Sequence, residues 1–138
     1  MNFQDAVKLC FQKYVDFNGR AARPEFWWFF LFCLLASIVL GLISETLSTI
    51  FSLATLLPTL AVGARRLHDI NKTGWLQLAW YIGIIVGAVI MAGALASGKY
   101  AFAGLGALVT IATIAYMIYL AVKVGDIGDN NYGPPPAN

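Results

Sequence analysis

The strongest constraint on this chain is a set of four long windows without one charged side chain. They run from Phe26 to Ile43, Thr46 to Ala64, Gly74 to Ser97 and Tyr100 to Val122. A bilayer core takes about 20 apolar residues of helix, each rising about 1.5 Å. The first window therefore reaches roughly 27 Å, and the third is long enough to tilt. Composition agrees: 59% of residues are hydrophobic and 12% charged, against roughly 45–50% and 25% in soluble domains. A soluble fold of 138 residues could not hide that much apolar surface, whereas lipid solvates it. The expected fold class is all-α. It is a polytopic membrane protein, one domain over 1–138, with transmembrane helices at 26–43, 46–64, 74–97 and 100–122. An amphipathic interfacial helix within 1–19 precedes them and a cytoplasmic tail, 123–138, follows. The alternative is three spans with the second window re-entrant, because that window is the most polar and holds Pro58. The first 25 residues carry charges throughout and no early apolar core, so the first window reads as a retained anchor rather than a cleaved leader.

Direction comes from the loops. Lys8, Lys13, Arg20 and Arg23 precede the first span, Arg65, Arg66 and Lys72 follow the second, and Lys123 follows the fourth. Four crossings put all eight on one side, against Lys99 alone on the other. The positive-inside rule makes that side the cytoplasm, with both termini there. Trp27, Trp28 and Trp75 mark the same ends of their spans, where indole rings favour the headgroup level. The net charge of +2 is too small to suggest nucleic acid. Cys10 and Cys33 lack metal-ligand spacing and suggest no disulfide framework.

Within 1–19, Phe3, Val7, Cys10, Phe11, Tyr14 and Phe17 recur on one helical face, with charged and amide side chains opposite. The pattern predicts an amphipathic helix ended by Asn18-Gly19. It either lies in the membrane interface or covers the end of the bundle.

Three polar motifs remain. Phe17-Asn18-Gly19-Arg20 runs through Arg23-Pro24-Glu25 to Trp27-Trp28, with Pro24 and Glu25 suited to a first helical turn. Arg65-Arg66-Leu67-His68-Asp69 is followed by Gly74-Trp75, and Arg65 and Asp69 are spaced to pair along one helix face. Gly125-Asp126-Ile127-Gly128-Asp129-Asn130-Asn131-Tyr132-Gly133-Pro134 excludes helix. Together the three motifs resemble a family of small bacterial inner-membrane proteins, domain of unknown function eight hundred and five. The resemblance covers nearly the whole chain. Pro24 departs from it, standing where a small polar residue is more usual. The resemblance implies four spans and a bacterial inner membrane, and no activity.

The topology gathers all three motifs on the cytoplasmic side. Glu25, Asp69, Asp126, Asp129, Asn131 and Tyr132 are expected to form a structural polar clasp with the arginines. Arg20, Arg23, Arg65, Arg66 and His68 are the candidates for holding an anionic headgroup or soluble anion. A second polar feature is the stripe Glu45, Ser48, Ser52, Thr55 and Thr59 along the second span, either a packing face or a wet path. Gly83 and Gly87 permit close helix packing within or between chains. The leading functional expectation is a non-enzymatic membrane module whose cytoplasmic face binds a lipid headgroup or a partner protein. One alternative is a small transporter or channel component using the second-span stripe. The other is a membrane enzyme using His68, although the sequence positions no nucleophile beside it. No catalytic residue, metal or other cofactor is expected. Membrane lipids are the expected partners, with a homo-oligomer or another membrane protein possible and nucleic acid not.

Overall fold

A computed structural model describes residues 1–137 of the chain. It contains α1 (Phe3–Gln12), α2 (Arg23–Ile43), α3 (Glu45–Asp69), α4 (Leu76–Ala96) and α5 (Tyr100–Val122), with no strand among the described residues. The last four helices are long and apolar enough to cross a membrane. The chain is an all-α polytopic membrane protein. It divides into two compact units. One holds Met1–Gly74 together with the tail from Val124, the other Trp75–Lys123.

In the first unit, α2 and α3 form a hairpin hinged at Ser44. Its backbone is extended, and its hydroxyl accepts from the Leu47 amide to cap α3. The α3 helix is continuous for 25 residues through Pro58, so the second apolar window is not a broken, re-entrant segment. It also runs past Ala64 to Asp69, which puts the whole Arg65 to Asp69 motif on helix. Pro58 has no amide proton, which leaves the Ala54 carbonyl without its usual donor. The Tyr14 hydroxyl supplies one.

That bond bears on α1. The helix stops at Gln12, short of the Asn18-Gly19 end expected from periodicity. Residues beyond it turn back: Asp16 bonds the Asn18 amide through its carboxylate, and Gly19 takes a left-handed φ of 81°. The reason is tertiary. The chain must bring Ala21 to the Arg65 carbonyl, which its amide meets at 2.9 Å. Ala6 and Cys10 of α1 are fully buried. Phe3 packs edge-on to Trp28, and Phe11 edge-on to Phe29 and Phe32. The helix thus straps the start of α2 and reaches α3 through Tyr14.

The second unit is the α4–α5 hairpin, and it is built from small residues. A Cβ on Gly106 would lie 2.6 Å from the Gly87 carbonyl and 2.7 Å from the Met91 amide. One on Gly83 would meet the Thr113 side chain at 2.5 Å. The Gly83-Gly87 pair therefore packs within the hairpin, where missing side chains let backbones approach. Thr110 and Thr113 turn their hydroxyls onto their own helix, at Gly106 and Val109.

Candidate functional site

The three motifs meet in the first unit, and Arg20 is the residue that joins them. It reaches the site because Gly19 reverses the chain just ahead of α2. Its Nε donates to Asp69 Oδ1 at 2.9 Å. Its other nitrogens donate to tail carbonyls, Asp126 and Gly128 each at 2.6 Å and Gly133 at 3.3 Å. One planar guanidinium therefore ties the end of α3 to the tail, using the fan of donors that distinguishes arginine from lysine. The tail can come this close because position 125 is glycine: a Cβ there would fall inside the Asp69 carboxylate.

Asp69 is shared. Its second oxygen accepts from Arg66, one turn back on α3, and its backbone carbonyl accepts from the Asp126 amide at 2.8 Å. Arg66 also reaches the Ala21 carbonyl at 3.3 Å. Arg65, expected to pair with Asp69, does not. It faces α2, where its Nη1 donates to Glu25. The correction has a geometric cause. Asp69 stands where Arg20 arrives from outside the helix, and Glu25 in the first turn of α2 meets the α3 face that carries Arg65. Cys10 of α1 completes this second pair, its thiol 3.9 Å from Glu25 Oε1. Burial first, and the Glu25 carboxylate second, push the thiol up to about 12, so Cys10 stays a protonated donor rather than a nucleophile.

His68 and Asp69 do not form a dyad. The His68 ring lies flat on Tyr132, with centroids 3.9 Å apart and planes 2° from parallel. Its Nδ1 meets the Gly19 carbonyl at 3.0 Å. Asn130 donates to the His68 carbonyl at 2.8 Å, and Asn71 accepts from the Asn131 amide at 3.2 Å. Glu25, Asp69, Tyr132, the backbone of Asn131 and Asp126, whose carboxylate also accepts from Asn130 at 3.1 Å, are thus joined with Arg20, Arg65, Arg66 and His68. Asp129 lies exposed on the tail, and Arg23 is exposed at the start of α2.

Sequence reasoning missed Cys10, Tyr14, Asn71 and Asn130. A proline inside a helix frees the carbonyl one turn back, but nothing local points to Tyr14 as its donor. The α3 stripe is not one surface. Ser48 donates across the hairpin to the Ser37 carbonyl at 3.3 Å, and Thr55 turns onto the Phe51 carbonyl at 2.8 Å. Glu45 and Ser52 are exposed. Among the described residues, no three His, Cys, Asp or Glu side chains converge as a metal site would require.

Over the clasp opens a cleft of about 440 Å³. Met1, Arg23, Pro24, Asp126, Pro135 and Pro136 line it, with the paired Arg20 and Asp69 behind them.

Comparison with known proteins places this arrangement. The chain is 35% identical over 136 residues to the inner membrane protein YhaH of Escherichia coli K12, covering 91% of this chain and 90% of that one. It is 37% identical over 87 residues to the inner membrane protein YhaI of the same strain, covering 58% of this chain and 74% of the other. The uncharacterized protein YiiR is 33% identical over 126 residues, covering 86% and 84%. No solved structure matches. The profile described as "Protein of unknown function (DUF805)" matches residues 14–134, a stretch that contains all three motifs, and the chain belongs to that family.

Proposed function

We propose that the protein is a non-enzymatic inner-membrane module that binds a phospholipid headgroup at its motif-bearing end. That end and both termini face the cytoplasm, a reading supported by eight lysines and arginines against one across the loops. The observation that carries the binding reading is the cleft. It is open, it lies where the basic loop ahead of α2 meets the start of that apolar helix, and it offers both signs of charge. Arg23 suits a phosphate, and Asp126 suits the ammonium of a zwitterionic headgroup. The groups behind it are already paired, so the wall is rigid. His68 is packed as a structural ring, which favours binding over catalysis at this face.

The test is native mass spectrometry of protein released from membranes. Retention of a phospholipid, lost on combining Arg23→Ala with Asp126→Ala, supports the reading. Protein that leaves the membrane lipid-free, or a double variant that retains lipid as the wild type does, rejects it.

A further inference from the structure

Among the described residues, the buried charged side chains are Arg20, Arg65, Arg66, Glu25 and Asp69. Three guanidinium groups therefore face two carboxylates, an excess of one positive charge. Uncompensated charge in such a place is strongly unfavourable, because water no longer solvates it. Arg65 has Glu25 to itself while Arg20 and Arg66 share Asp69, so the excess sits in the Asp69 half of the cluster, and the cluster's open donors are on Arg65. Arg65 is 0% exposed, it bonds Glu25 through Nη1, and its Nε and Nη2 donors have no partner. Those two nitrogens share one edge of the guanidinium, with parallel N–H bonds spaced for two oxygens of a carboxylate or phosphate. A buried donor without a partner has lost its bond to water and gained none, so an edge with two calls for an occupant.

No acidic side chain of the described residues supplies it. Trp75–Lys123 has neither Asp nor Glu. Asp5, Asp126 and Asp129 are exposed, Asp16 bonds Asn18, and Glu45 begins α3 at the end far from Arg65. A water would satisfy the donors and leave the charge. We propose that the Nε–Nη2 edge of Arg65 is an internal oxyanion site, and that its ligand is a phosphate group, whether of a phospholipid or free in solution. This rests on the headgroup reading above and adds a second, inner position to it. With Arg65 wholly enclosed, the anion exchanges only when the unit opens. It therefore co-purifies instead of washing off.

The experiment uses the full chain in detergent, stripped by prolonged exchange and then titrated at constant ionic strength. One arm adds dioctanoyl phosphatidylglycerol, the other inorganic phosphate. The readouts are thermal unfolding by tryptophan fluorescence and the side-chain Nε–H signal of Arg65 after 15N-arginine labelling. Wild type is expected to gain stability and shift the Arg65 signal. Stabilisation by the lipid alone assigns a headgroup, and stabilisation by both assigns phosphate from either source. Arg65→Lys keeps the charge and loses the fork, so it should weaken binding about tenfold or more. Glu25→Gln raises the positive excess and should tighten it. Should Arg65→Lys fail to fold, Glu25→Gln carries the test.

An Arg65→Lys protein that binds as wild type, a Glu25→Gln protein that binds no tighter, or an Arg65 signal indifferent to both probes overturns the inner site. If lipid binding is then still lost with Arg23→Ala and Asp126→Ala, the headgroup reading survives alone. If no variant changes it, both fall.

Discussion

The two units of this chain solve the same problem with opposite chemistry. Both must hold apolar helices together in lipid, where burying apolar surface gives little drive for association. The α4–α5 hairpin relies on absence: Gly83, Gly87 and Gly106 remove side chains so that backbones nearly touch. The unit of α1, α2, α3 and the tail relies on charge, with Arg20, Arg65, Arg66, Glu25 and Asp69 buried at one end. Packing by small residues tolerates gradual loss, because dispersion energy is spread over many weak contacts. A buried ion network does not, because removing one member leaves its partners charged and unpaired. The family motifs lie in the charged unit, where each residue depends on particular others.

The sharpest way to break that contrast is Asp69→Ala. It strips Arg20 and Arg66 of their carboxylate together and should cost about 3–5 kcal/mol, enough to abolish folded protein in a fluorescence-detected size-exclusion assay. Asp69→Asn should do nearly as much, since an amide keeps the shape without the charge. If either variant folds as wild type, the clasp is decoration. The matching change in the other unit is Gly87→Val. Its side chain would strike the Thr110 hydroxyl and the Gly106 carbonyl. Overpacking costs about 1–3 kcal/mol, so this variant should fold with a lowered Tm. Equal losses for Asp69→Ala and Gly87→Val would erase the distinction between the units.

The same contrast governs what could be read in advance. The four apolar windows and the Gly83–Gly87 pair were legible because hydrophobicity and small-residue spacing are local properties, whereas Gly106 and the choice of partner helix were not. The convergence of the three motifs followed from topology alone. The pairing inside the clasp did not. Helical spacing favoured Arg65 with Asp69, but Glu25, forty residues away, takes Arg65 because α2 and α3 are in register there. The end of α1 was misplaced for a related reason. Periodicity continues to Phe17, yet the chain must turn after Gln12 to set Tyr14 on Ala54 and Ala21 on Arg65. Gly125 read as a loop residue, and only its closeness to Asp69 shows why a side chain cannot stand there.

Tyr14 offers a smaller and cleaner probe of the strap. Tyr14→Phe removes only the donor to Ala54 and should cost about 1 kcal/mol. Pro58→Ala restores a backbone amide that can cover the same carbonyl. In that background Tyr14→Phe should cost almost nothing, a coupling that a double-mutant cycle on Tm reads directly. Additive costs would mean that Tyr14 acts through packing and that the proline-freed carbonyl plays no part.

The smallest effect at neutral pH, and the most specific, belongs to Cys10. Its thiol is buried against Glu25, and burial raises it from an ordinary value of 9.0 to about 12. A folded-state value above the unfolded one means that the folded protein holds its proton more tightly. The stability this contributes is fully present below about pH 9 and drains away as pH rises toward 12. Wild type and Cys10→Ala should therefore differ by a constant amount in Tm up to pH 8.5. Above that, the wild type should lose stability faster, while lysines and tyrosines titrate alike in both and cancel in the difference. Folded protein should also resist maleimide at pH 8 until it is unfolded, since thiolate is the reactive form. A Tm difference that stays flat to pH 11 would show that α1 does not seal the Glu25–Arg65 pair from water, and the charged unit would then be held by its Arg20–Asp69–Arg66 half alone.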